Sequence, residues 1–237
     1  MSIYNQNDAA NYASVALGFS ADTGSLSAWV YHEATSPYSW KCPFDLRTTD
    51  DGVSIYSGVN AAAMHWGLWD NPAADFTGST PSASVWYHVG LIADASNLTL
   101  YIDGALEVQI SSTNTWDSIR IGSNLLYDEP ANLRCAGMKA WDATLTLAEM
   151  HNEMHTLHPK RTTDMLGYWP MFPGSSERLR DYSGNGNDLT ETGTLLDRDP
   201  PPISWGAHTS IPTIYSGQAA ARIPRNPFYM YQVPAIV

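Results

Sequence analysis

Residues 86–108, WYHVGLIADASNLTLYIDGALEV, constrain the fold more than any other stretch of this chain. Leu98, Leu100 and Ile102 alternate with Thr99 and Tyr101, the period of a strand with one buried face. Asp103-Gly104 follows at once, and this dipeptide supplies the positive φ that a tight hairpin turn requires. A polar tip at 93–97 separates the Leu98–Ile102 run from the apolar run before it. The stretch therefore predicts two strands joined by a short turn, then a second tight turn. Val89, Leu91, Leu100 and Ile102, with Trp29 and Ile121 from other segments, are the expected core face.

Further segments follow in a recognisable order. SLSAWVYH at 25–32 predicts an early strand carrying Trp29, and SIRIGS at 118–123 a short strand after the hairpin. CAGMKAWDATLTLAEM at 135–150 predicts a strand and then a helix. There Thr146 and Glu149 form a capping box that satisfies the first free N–H groups of the helix. LGYWPMFPGSSERLRDYSGNGNDL at 166–189 combines an aromatic strand with D-x-S-G-N-G-N. Taken together, these segments resemble the laminin-G-like, or concanavalin A-like, jelly-roll superfamily over roughly residues 10–196. The last segment often opens such domains. Here it follows the helix, as a rearranged edge element or the start of an aborted second repeat. The resemblance implies an all-β fold: two antiparallel sheets in a jelly-roll sandwich with one short helix. That superfamily hosts lectins, glycanases, adhesion modules and virion proteins, so function has to come from sites.

A chain of 237 residues can build one sizeable sandwich with an appendage. The net charge of −12 argues against a nucleic-acid partner and against an anionic membrane surface. No run of 18 apolar residues predicts a membrane span, and the first residues show no secretory signal. Cys42 and Cys135 are expected as two buried free thiols. Two regions differ in composition. Residues 1–199, the expected jelly-roll domain, hold all 24 acidic residues and ten of the 12 basic ones. Residues 200–237 hold no acid, Arg222 and Arg225, and seven of the 15 prolines. They predict an extended arm. Its apolar side chains have to lie on something, its own domain or a neighbour. Trp205, Tyr215, Arg222, Arg225, Phe228, Tyr229 and Tyr231 are its candidate partner-binding residues.

Four candidate sites stand out. Asp181, Ser183, Asn185 and Asp188, with Gly186 between, mimic the first half of a calcium loop, and several relatives within the resembled superfamily hold a structural Ca²⁺ at such a motif. The alternative is a plain Gly/Asn turn; position twelve is Thr192 and not a bidentate Glu. His151 and His155 lie one helical turn apart, but the run is HNEMH and not HExxH, which favours a surface helix with solvated His and Glu, among them Glu149, Glu153 and His158. Glycanases of the resembled fold carry E-x-D-x-E along a strand; this chain has no such run, so no catalytic residues are assigned and an enzyme is not expected. For glycans, alternation in MHWGLWDNP puts Trp66 and Leu68 on one face and His65 and Trp69 on the other. If the first face is core, Trp69, Asp70 and Asn71 reach a loop rim, and Tyr127, beside Asp128 and Glu129, is a similar loop-borne residue. The functional expectation is a non-enzymatic virion structural protein of a tailed phage, a capsid-decoration or fibre-associated protein made in the host cytoplasm. It would dock through its arm to other virion proteins or to copies of itself. The alternative is a carbohydrate-binding module, and a glycoside hydrolase is the least favoured reading.

Overall fold

The computed structural model describes residues 2–4, 11–21, 23–33, 40–47, 52–58, 64–70, 73–112, 116–125, 129–171, 177–199, 201 and 203. Among them the strands are β1 (Ser2–Tyr4), β2 (Tyr12–Ala21), β3 (Gly24–His32), β4 (Phe44–Asp45), β5 (Val53–Tyr56), β6 (Gly67–Asp70), β7 (Ala73–Asp75) and β8 (Trp86–Ala93). They continue with β9 (Asn97–Ile102), β10 (Ala105–Ser111), β11 (Trp116–Ile121) and β12 (Leu133–Trp141). The helix α1 (Leu147–Met154) precedes β13 (Met165–Trp169), β14 (Thr190–Thr192) and β15 (Leu196–Arg198).

The 86–108 segment forms the meander β8–β9–β10, with Asp103 and Gly104 at positive φ in the second turn. It begins one sheet, ordered β10-β9-β8-β3-β12-β1-β15, with β13 also paired to β12. The other sheet runs β14-β2-β11-β4-β5-β6-β7. Every strand pairing among the described residues is antiparallel, and the two inner faces meet in one core. Leu26, Ala28 and Val30 come inward from β3, Val89 and Leu91 from β8, Leu98, Leu100 and Ile102 from β9, and Ile119 and Ile121 from β11. Trp66, Trp116 and Trp169 fill the interior between the sheets. Cys42 and Cys135 are buried free thiols.

The expected place of Trp29 is corrected here. The inward phase of β3 belongs to Leu26, Ala28 and Val30, so Trp29 stands on the outer face with Ser27. It packs edge-on against His88 at 5.5 Å. Both phases of SLSAWVYH hold apolar residues, and a two-residue period alone does not say which phase is inside.

The 166–189 segment, expected as a rearranged edge element or the start of an aborted second repeat, belongs to this sandwich. β13 joins β12 in the first sheet through Met138–Trp169 and Lys139–Tyr168, while β14 joins β2 in the second. β1 pairs with the first half of β12 and β13 with the second half, so the two share one edge end to end. Between those halves, the register shifts at Gly137, whose φ is +59°. This bulge moves the inward phase onto Met138 and turns Lys139 outward.

Helix α1 covers that outer face. Thr146 caps it, with Glu149 closing the reciprocal box as expected. Met150 packs with Ile92, Trp141 and Leu145. Glu153 is not solvated, contrary to the sequence expectation. Its carboxylate is buried against Lys139 Nζ at 2.8 Å and also accepts the backbone N–H groups of Lys160 and Arg161. Lys139 Nζ donates further to the carbonyls of Glu153 and Thr156, and burial lowers its pKa to about 8. His151 Nε2 donates to Gly104 O, pinning the helix to the hairpin, whereas His155 is exposed. No helix among the described residues is long and apolar enough to cross a membrane.

Candidate ligand-binding face

On the second sheet, the residues between the inward ones form an outer face of different chemistry. Strand register sets Arg120 opposite Asp45, Asp45 opposite Ser54, and Ser54 opposite Trp69. These four residues cross β11, β4, β5 and β6 as a single row. Lys41 continues the same ladder through its bridge to Gly58. Lys41, Arg47 and Arg120 are the only basic residues before Arg134. All three thus gather on this sheet in a chain of net charge −12.

Arg47 follows β4 and folds back over the row. Its Nε donates to Asp45 Oδ1 and Oδ2, both at 3.0 Å, and its guanidinium lies 4.5 Å from the centre of the Trp69 ring. Asp45 also accepts the backbone N–H groups of Arg47 and Leu125, the latter at 2.6 Å. One buried carboxylate thus ties the Leu125 backbone to the guanidinium over Trp69. Burial raises the Asp45 pKa, while the Arg47 charge and the N–H donors pull it back. Ser54 Oγ sits fully buried in the row with no hydrogen-bond partner.

Beside the row lies a second cluster. Tyr56 Oη donates to Glu129 Oε2 at 2.6 Å, and Asn124 Nδ2 donates to the same oxygen at 2.8 Å. Burial pushes the Tyr56 hydroxyl pKa strongly upward. Trp40, Tyr56 and Phe76 meet edge to face with centroids 5.2 to 5.6 Å apart. Arg120 donates to Asn124 O and stacks over Tyr12.

Of the residues expected to hold a glycan, Trp69 is half-buried on this outer face, and His65 and Trp69 do lie opposite Trp66 and Leu68 in burial. Asp70 is buried at the end of β6 on the Leu68 phase, away from the Trp69 ring. Asn71 and Tyr127 lie outside the described residues. Sequence reasoning missed Asp45, Arg47, Ser54, Tyr56 and Arg120. The scarcity of basic residues in the first half of the chain was the signal that could have found two of them.

The residues named for calcium do come together. Asp181 Oδ1 accepts Tyr168 N and Ser183 N, and Oδ2 accepts Ser183 Oγ and Asn187 N. Asp188 Oδ1 accepts Asp181 N. Asn185 presents its amide hydrogens to Met165 O, and Gly184 and Gly186 turn at positive φ. Four donor hydrogens thus aim at Asp181 where a cation would have to sit, an arrangement that does not fit a calcium cage and does fit a self-bonded Asx loop. Among the described residues no group of three His, Cys, Asp or Glu could hold a metal. Next to this loop, Leu17, Asp142, Asp164, Met165, Leu166, Asn185 and Asn187 line an open cleft of about 400 Å³. The seven arm residues from Trp205 to Tyr231 lie outside the described residues.

The family model of the concanavalin A-like lectin/glucanases superfamily matches residues 5–151, more than half of the chain. This chain belongs to that superfamily. Among solved structures, it is similar to a Bacteroides ovatus protein described as a candidate carbohydrate-binding protein. The match has a TM-score of 0.65 at 13% identity and covers 86% of this chain and 61% of that one, so the chain spans less than two thirds of that protein's length. It is also similar to a heptameric SAP-like pentraxin from Limulus polyphemus, with a TM-score of 0.53, 12% identity and coverage of 82% and 93%. No curated protein matches the chain in sequence.

Proposed function

We propose that this protein is a non-enzymatic, lectin-like module that binds a glycan on the outer face of the seven-stranded sheet. The observation that carries this reading is Trp69, held half-exposed in that sheet and braced from one side by Arg47. An aromatic ring fixed by strand and guanidinium offers an apolar plane to the C–H face of a sugar. Polar groups around it then set orientation. The likeness to a candidate carbohydrate-binding protein supports the same reading. Hydrolysis is disfavoured because the carboxylates of this face are committed. Asp45 is ion-paired with Arg47, and Glu129 accepts from Tyr56 and Asn124. A glycosidase needs one carboxylic acid free to give its proton and a second to act as nucleophile or base.

A glycan array tests the proposal. Wild type should give a defined set of positive glycans, and Trp69→Ala should lose them by tenfold or more while keeping its melting temperature. A silent array, or signals unchanged in Trp69→Ala, would sink it. The composition of residues 200–237 supports a second reading: attachment through the arm to a virion or to other copies. Stoichiometric co-purification with particles would favour that role, which is compatible with glycan binding.

A further inference from the structure

Resting on the glycan reading above, we propose that the ligand of this face is a carboxylate-bearing sugar of the uronic acid class, its carboxylate received by the terminal nitrogens of Arg47. The guanidinium is almost wholly buried, with its side chain 5% exposed. Its Nε is consumed by Asp45. Among the described residues, Nη1 and Nη2 make no hydrogen bond, although together they carry four N–H donors. Such a group, left with little contact with water and four of its five donors unmatched, is an unfavourable state that an incoming acceptor relieves.

The geometry also selects the acceptor. Asp45 grips one edge of the guanidinium and Trp69 supports its plane, so the remaining edge is held in one orientation. A planar fork so fixed matches the two oxygens of a carboxylate in parallel hydrogen bonds. Ser54 Oγ, fully buried and unpartnered, lies in the row between Asp45 and Trp69. Adjacent to the fork, the Trp69 ring can carry the pyranose that bears the carboxylate. One sugar thus engages both features, stacking on the ring and bonding to the fork.

Charge sets the limit of this specificity. Asp45 balances Arg47, and the chain as a whole is at −12, so no strong positive field draws in a dense polyanion. Recognition rests on the short-range fork. Single or well-spaced carboxylates therefore fit better than a heavily sulfated chain.

Calorimetric titration of the full chain tests this with oligomers of galacturonate, of mannuronate and of a glucuronate-containing glycan, each paired with its neutral methyl ester. At least one acid should bind roughly tenfold or more tightly than its ester, the size of a charged bidentate contact. Arg47→Lys keeps the charge beside Asp45 but loses the fork, so it should erase that preference. Asp45→Asn, which releases the brace and keeps the arginine, should reduce the preference. Melting curves confirm that each variant is folded. Equal affinity for acid and ester, equal binding of a sulfated oligosaccharide, or an unchanged preference in Arg47→Lys would overturn the proposal. Array-positive neutral glycans with no uronate binding would also overturn it while leaving the glycan reading intact. A silent array removes both.

Discussion

The most consequential single residues here are polar groups held where water cannot reach them. His88 is buried on the outer face of the first sheet, its Nε2 hydrogen-bonded with Ser27 Oγ and its Nδ1 without a partner. Around it stand Lys139 from β12, His151 from α1 and His155 at the C-cap of that helix, all disfavouring a positive charge on His88. Burial lowers its pKa to about 3, and that of His32, packed against Trp66 and Tyr87, to about 4. Both therefore fold neutral. Between those values and the unfolded 6.5 the unfolded chain binds more protons, so stability is complete above pH 6.5 and falls as pH drops below it. Each histidine should contribute a loss of about 1.4 kcal/mol per pH unit in that window. Denaturant melts from pH 7 to 4.5 should show it, with a shallower slope in His32→Phe. A slope identical to wild type would mean that His32 is not the group being titrated. The same scale shows where the sequence was opaque. Glu153 read as a solvated helix residue because nothing in AEMHNEMH reveals a buried lysine beneath it; that lysine faces out only because of the bulge at Gly137 in its own strand.

Elements are joined by turns and caps, and these were the most legible parts of the chain. Thr146 and Glu149 act locally, three residues apart, so their geometry needs no tertiary partner. Thr146→Ala should cost about 1 kcal/mol. The turn at Gly104 carries two constraints. Its φ of +79° disfavours any side chain, and a Cβ there would come 2.8 Å from His151 Nε2, which holds the helix to the turn. Gly104→Ala should thus cost about 1–2 kcal/mol from backbone conformation alone and more through the lost helix contact. Urea midpoints check both, and amide exchange in α1 should quicken in both variants. Exchange unchanged in Gly104→Ala would show that the hairpin does not anchor the helix. The candidate site, by contrast, was legible only at Trp69. Its alternation with Leu68 is a local signal, whereas Asp45, Ser54 and Arg120 share a row solely through strand register.

On the scale of the whole molecule, a single sandwich takes in segments from both ends of the described chain: β1 pairs with β15, and β2 with β14. The two sheets thus close with strands that precede residue 200. We expect deletion of 204–237 to leave one cooperative melt close to that of the full chain, and to abolish any self-assembly or particle attachment. Calorimetry and light scattering measure the two outcomes. A truncated protein that assembles as before would remove the docking role from the arm. By itself, the sequence determined the fold class, the meander, the helix cap and the buried state of both thiols. Those depend on period-two patterning, turn chemistry and composition, which act over a few residues or over the chain average. Tertiary structure alone decided which phase of β3 is core, that Lys139 meets Glu153, and that Arg47 lies over Trp69. Each of those pairings joins residues whose distance in sequence carries no trace of their distance in space. Strand register and one bulge set that distance, and the packing of the two sheets selects both.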